Sequence, residues 1–148
     1  MRPIAIHPSF RLAEVRYEIR GALARHARAL EAAGHAVLKL NIGNPGRFGF
    51  RAPAHLTAAI TAHLADSDAY CHEQGLESAR EAILARQHAR GASLPGIERV
   101  FVGNGVSELI DLALRGLLNP GDEVLLPAPD YPLWSAATIL NAGVPRYY

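Results

Sequence analysis

From Arg99 onward, short apolar runs alternate with amphipathic stretches, and this alternation restricts the chain to few folds. RVFVG (Arg99 to Gly103) is β-branched and aromatic and predicts a strand. Val106 to Leu118 follows, with Leu109, Ile110, Leu112, Ala113 and Leu117 in helical rhythm. Asn119-Pro120-Gly121-Asp122 suits a turn with proline second and glycine third, and EVLLPAP behind it predicts a nearly continuous apolar strand. A helix over Leu133 to Leu140 and a last strand in VPRYY complete the series. Strand, helix, strand, helix, strand at this spacing predicts an α/β fold with βαβ units in a parallel sheet covered by helices. Three parallel strands leave two edges, and VPRYY has no covering helix behind it, so the chain is expected to be the truncated first part of a longer protein.

The first half has a different rhythm. Leu12, Val15, Ile19, Leu23 and Leu30 share one face if residues 12 to 33 are helical, and Gly34 supplies a stop. AVLKLNIG (Ala36 to Gly43) alternates apolar and polar residues as a half-buried strand does. NPGRFGF is a loop, after which Pro53 can open a helix running to about Ala65. Leu76 to Arg90 predicts a further helix, with Leu76, Ala79, Ile83 and Leu84 on its apolar side and Gly91 as its stop.

Composition narrows the function classes. The chain has 148 residues, 49% hydrophobic and 20% charged, which suits a folded domain with a substantial core. Its net charge is +1 and its basic residues form no stripe, so no nucleic-acid partner is expected. Cys71 is the single cysteine, which excludes an internal disulfide and a cysteine-based zinc site, and the histidines have no metal-ligand spacing. No stretch approaches the roughly 18 apolar residues of a membrane span, and the start has no signal-peptide core, so a cytoplasmic location without membrane attachment is expected. Lys39 is the single lysine among fifteen basic residues, so side-chain amine chemistry must use it or be absent.

Four segments could carry chemistry. Gly103-Asn104-Gly105-Val106-Ser107-Glu108 joins a predicted strand to a predicted helix; backbone N–H groups, the helix dipole and the Ser107 hydroxyl could hold a phosphate there. The alternative is that Ser107 is only an N-cap. The spacing is neither the dinucleotide fingerprint nor a nucleophile elbow. Tyr131, in PAPDYPLW, follows the next strand, where an aromatic could stack on a planar ring. Its alternative is a proline-fixed turn with Asp130 as cap and Trp134 in the core. Tyr70-Cys71-His72-Glu73-Gln74-Gly75 is a polar aromatic loop before a helix, and in Asn41-Ile42-Gly43-Asn44-Pro45-Gly46 a strand breaks into a glycine turn able to approach a ligand through its backbone.

In order, LKLNIGNPGRFGF, AYCHEQGLESAREAI, VFVGNGVSELIDLAL and NPGDEVLLPAPDYPLW resemble the N-terminal part of the fold-type I, class I/II aminotransferases, enzymes that depend on pyridoxal phosphate. YEIRG (Tyr17 to Gly21) with PAPDYPLW most resembles the bacterial alanine (glutamate–pyruvate) aminotransferases. The resemblance implies an N-terminal arm and helix/strand segment over residues 1–50, and part of the large, cofactor-binding domain over 51–148. It implies that Gly105, Val106 and Ser107 bind the cofactor phosphate and that Tyr131 stacks on its ring. Tyr70 would reach the phosphate of a neighbouring subunit, making a homodimer the expected form. Gly43 would sit beside the substrate carboxylate, and Tyr17 and Arg20 would belong to an arm that folds over the substrate.

The expected reaction is amino transfer between an amino acid, alanine by resemblance, and 2-oxoglutarate. The family's Schiff-base lysine, the aspartate at the pyridine nitrogen and the arginine that clamps the substrate carboxylate lie beyond the resembling segments. No catalytic residue is therefore assigned in this chain, and alone it is expected to be inactive. Two other readings share these residues: a carbon–sulfur lyase or decarboxylase of the same fold, and a non-catalytic phosphate-binding module.

Overall fold

The computed structural model describes residues 7–17 and 21–148. They fall into two compact units, one of residues 7–17 and 21–42 with 105–148 and one of residues 43–104.

In the first unit, the described start of the chain forms a short 3-10 turn at Phe10–Ala13, and Val15 to Tyr17 are non-helical. Helix α1 covers Ala22–Ala32 and begins at Gly21, whose ψ of −135° is outside helical range. The continuous helix expected from Leu12 is thus replaced by a turn and a separate helix; of its expected face, Ile19 lies outside the described residues. The 3-10 turn packs against helix α5 (Leu133–Leu140), a tertiary contact that overrides the local periodicity. The expected stop at Gly34 is present, with φ +89°, a conformation in which only glycine is unstrained.

Helix α4 (Val106–Leu117), strand β1 (Glu123–Leu126), α5 and strand β2 (Val144–Tyr147) follow the predicted sequence. The 119–122 turn closes through Asp122 N–H donating to Asn119 O at 3.1 Å, with Gly121 at φ +92° as a glycine-third turn requires. The Asp122 carboxylate accepts from the Asn119 backbone N–H at 2.7 Å and so ties the turn a second time. β1 and β2 pair in parallel, in the register Glu123↔Val144 to Leu126↔Tyr147, with α5 as the crossover. The core of this unit is Ile110, Leu114 and Ala137, with Leu118, Val124, Leu133 and Trp134 packed against it. Asn141 joins the two helices, its side-chain amide donating to Asp111 at 2.8 Å.

Across the sheet, Arg146 bonds Glu123 through Nε at 2.8 Å and again through Nη2. That hydrogen bond first, and the guanidinium charge second, hold the Glu123 carboxyl below its ordinary value of 4.5. A carboxylate whose pKa is depressed on folding adds stability above its unfolded pKa and loses it as pH falls through the folded one. Both groups are exposed, so the effect on stability is small. Replacing Arg146 by methionine is expected to return the Glu123 midpoint to the ordinary carboxylate range, read from its side-chain carbonyl resonance. A midpoint equal in both proteins would show that the pair does not persist in solution.

The second unit holds a 3-10 turn at Pro45–Phe48, helix α2 (Ala54–Ala62), a turn at Leu64–Asp66, helix α3 (Glu77–Ala89) and a turn at Ile97–Arg99. Pro53 opens α2 and Gly91, at φ +86°, follows α3, both as predicted. The apolar side expected for α3 is only partly buried: Ala79 and Leu84 are half-buried, Leu76 and Ile83 are exposed, and the buried residue among them is Arg80.

Two expected strands are absent. Val37 to Ile42 and Arg99 to Gly103 carry no strand pairing, so among the described residues the sheet has two strands where three or more were expected. A strand exists only where a neighbour takes its backbone groups. Leu38 and Leu40 are largely exposed. Val100 is extended, but its carbonyl accepts from Arg80 Nε and the nearby Val102 N–H donates to Gln74 O, so these groups serve a loop instead of a ladder.

Candidate cofactor and substrate site

The glycine turn opens α4. Gly105 is the N-cap residue, with φ +83° and ψ 164°, and no side chain caps the helix. Ser107 is therefore the second helical residue, which removes the reading of Ser107 as the cap. Its hydroxyl stands in the first turn among backbone N–H groups directed along the helix axis, at the positive end of a twelve-residue helix. A Cβ built on Gly105 meets no atom within 4 Å, so the backbone is open to close approach. A hydroxyl, first-turn N–H groups and a helix dipole form a donor set whose chemistry suits a phosphate group.

Tyr131 sits in the loop between β1 and α5. Its backbone N–H donates to the Asp130 carboxylate at 2.7 Å. α5 begins at Pro132 without a side-chain cap, so Asp130 orders the loop and does not cap the helix. Trp134 is half-buried against Ile110, Leu114 and Ala137, as its structural reading expected. The structure brings Tyr131 together with Tyr17: their hydroxyl oxygens are 3.0 Å apart and the rings meet edge to face, centroids 6.4 Å apart. These two residues are 114 positions apart in sequence, and the contact connects the N-terminal arm to the loop after β1. Arg20, expected in the same arm, lies outside the described residues.

Gly43 and Tyr70 belong to the second unit. A Cβ on Gly43 meets nothing within 4 Å, and Tyr70 is fully exposed. Lys39 donates to Glu31 at 2.8 Å, which makes it an ion-paired surface lysine. Among the described residues no group of three or more His, Cys, Asp or Glu side chains could hold a metal, and no helix is long and apolar enough to cross a membrane.

Sequence reasoning gave no role to Arg80 or Gln74. Arg80 is 6% exposed and donates to Val100 O at 3.0 Å, to Ile97 O at 2.7 Å and to the Gln74 side-chain oxygen at 2.7 Å. The available signal was position: Arg80 lies four residues from both Leu76 and Leu84, on the side of α3 otherwise read as apolar.

Residues 35–148 match the family described as aminotransferase class I and II. The chain is 48% identical over 143 residues to the glutamate-pyruvate aminotransferase AlaA of Escherichia coli K12, covering 97% of this chain and 35% of that protein. It is 47% identical over 152 residues to the alanine aminotransferase of Mycobacterium tuberculosis H37Rv, covering 99% of this chain and 34% of that one. The crystal structure of an aminotransferase from Escherichia coli superposes with a TM-score of 0.89 at 48% identity, over 98% of this chain and 36% of that chain. An alanine aminotransferase from Pyrococcus furiosus superposes at 0.86 with 34% identity, over 96% of this chain and 36% of that one. The chain thus spans about a third of the length of these relatives, with the α/β fold of part of the fold-type I large domain. By the extent of the family match and the agreement of fold over nearly all its residues, this chain belongs to the class I and II aminotransferases.

Proposed function

We propose that the protein carrying this chain is a pyridoxal-phosphate-dependent aminotransferase that moves an amino group between alanine and 2-oxoglutarate and works as a homodimer. The observation that carries the reading is the start of α4, an uncapped helix opened by a positive-φ glycine with a serine in its first turn. Its similarity to glutamate-pyruvate and alanine aminotransferases supports the choice of substrates. Residues 1–50 then serve as an arm with a helix and connecting segment, and 51–148 as part of the cofactor domain.

In this reading Gly105, Val106 and Ser107 hold the cofactor phosphate. Tyr131 lies along its ring, and Tyr17 fixes the Tyr131 hydroxyl from the arm. Gly43 leaves room for the substrate carboxylate, and Tyr70 donates a hydroxyl to the phosphate in the other subunit. When bound, the cofactor supplies the carbonyl that accepts the amino group and the electron sink that lets the α-proton leave. This chain's part is to bind and orient. Lys39, the single lysine, is a surface residue paired with Glu31 and is given no catalytic role, so these residues are proposed to be inactive by themselves.

The test is amino transfer by the full-length protein from alanine to 2-oxoglutarate, read as pyruvate formed; no pyruvate above a no-enzyme control would sink the reading. Arg20 offers a planar fork to the second carboxylate of glutamate, a contact that alanine lacks. Arg20→Ala is expected to lower kcat/KM by about tenfold for the glutamate half-reaction and by little for the alanine one. Equal losses, measured in separate single-turnover reactions, would show that Arg20 does not sense that carboxylate.

A further inference from the structure

The loop that carries Tyr70 is held at its base by a closed set of bonds. The Gln74 side chain works at both ends, its oxygen accepting from Arg80 at 2.7 Å and its nitrogen donating to Glu98 O at 3.0 Å. Its backbone does the same, since Gln74 O accepts from Val102 N–H at 2.8 Å and Gln74 N–H donates to His72 Nδ1 at 3.2 Å. Gly75 is at φ +99°, and a Cβ there would stand 2.7 Å from Val102 Cβ, so the loop backbone lies directly on Val102. Arg80 completes the set by bonding Ile97 O and Val100 O from α3.

The three hydrogen bonds of the buried Arg80 all go to neutral acceptors. Burying a guanidinium without a carboxylate is costly, and a simple apolar contact would pack α3 against the 97–102 segment at less cost. What the guanidinium adds is direction: its rigid fork fixes two carbonyls and one side-chain amide relative to each other. The loop base is thereby set in place, while Tyr70, four residues earlier, is fully exposed.

We propose that Arg80 and Gln74 are positioning residues for Tyr70, holding the base of its loop so that the phenol is presented to a phosphate bound in the neighbouring subunit. This rests on the role proposed above for Tyr70, and the test separates the two. In the full-length protein, affinity for pyridoxal phosphate is measured by equilibrium dialysis for Tyr70→Phe, Gln74→Ala and the double variant. Melting followed by circular dichroism checks that each is folded. Tyr70→Phe is expected to weaken binding about tenfold and Gln74→Ala about fivefold, while the double variant is no weaker than Tyr70→Phe, because coupled neighbours do not add. Arg80→Lys, which keeps the charge and loses the fork, is expected to behave like Gln74→Ala. Losses that multiply to about fiftyfold in the double variant would show that Gln74 acts independently of Tyr70 and overturn the proposal. Unchanged affinity in both Gln74→Ala and Arg80→Lys would overturn it as well. If Tyr70→Phe alone binds as tightly as the parent, the role of Tyr70 fails and the positioning proposal fails with it.

Discussion

Arg80→Ala is expected to destabilise the protein by roughly 3 kcal/mol, because it strands one buried and two part-buried acceptors at once. Val100 O, Ile97 O and the Gln74 side-chain oxygen all lose their Arg80 donors, while alanine fills little of the space the side chain leaves. Each unsatisfied buried acceptor costs about 1–3 kcal/mol, reduced where water can enter. Gln74 is half-buried and can partly recover; Val100 is buried and has less access to water. Arg80→Lys should fall between the two, since an ammonium reaches fewer of the acceptors in the right plane. Urea unfolding followed by circular dichroism gives the comparison. A loss below about 1 kcal/mol for Arg80→Ala would mean that water replaces the guanidinium and that the network does not hold the loop.

Ser107→Ala is expected to weaken pyridoxal phosphate binding in the full-length protein by roughly 1.5–3 kcal/mol, about tenfold to more than a hundredfold, the worth of one hydrogen bond to a charged group. The backbone does not change in this variant, because Gly105 and not Ser107 begins the helix. The loss should therefore appear in cofactor affinity and leave helix stability nearly unchanged. If Ser107 had been the cap, its removal would instead have lowered stability by about 1 kcal/mol. Tyr131→Ala should weaken the same equilibrium by removing the ring, and Tyr17→Phe should have a smaller effect because it keeps both rings while removing the 3.0 Å contact to the Tyr131 hydroxyl. Unchanged dialysis affinity in both Ser107→Ala and Tyr131→Ala would remove the cofactor from this end of the chain.

Much of the first unit was legible from residue pattern. α4, β1, α5 and β2 stand where the spacing of Leu109, Ile110, Leu112, Ala113 and Leu117, the apolar run EVLLPAP and the Asn119–Asp122 turn placed them. Gly34, Gly91 and Gly121 mark stops and a turn for a local reason, the positive φ that other residues resist. The start of a helix at Gly105-Val106-Ser107 was likewise legible, since a helix start needs no distant partner to present its N–H groups.

Tertiary structure decided what depends on partners far along the chain. Whether Val37 to Ile42 and Arg99 to Gly103 become strands turns on a neighbour accepting their hydrogen bonds, and periodicity cannot supply one. The Tyr17–Tyr131 contact and the bonds of Arg80 to Ile97 and Val100 join residues that sequence spacing does not relate. Sequence alone thus determined α4, α5 and the 119–122 turn, whose geometry is local. Only the folded chain determined that an arginine on an apolar-looking helix face would be buried, because its three acceptors converge on it through folding.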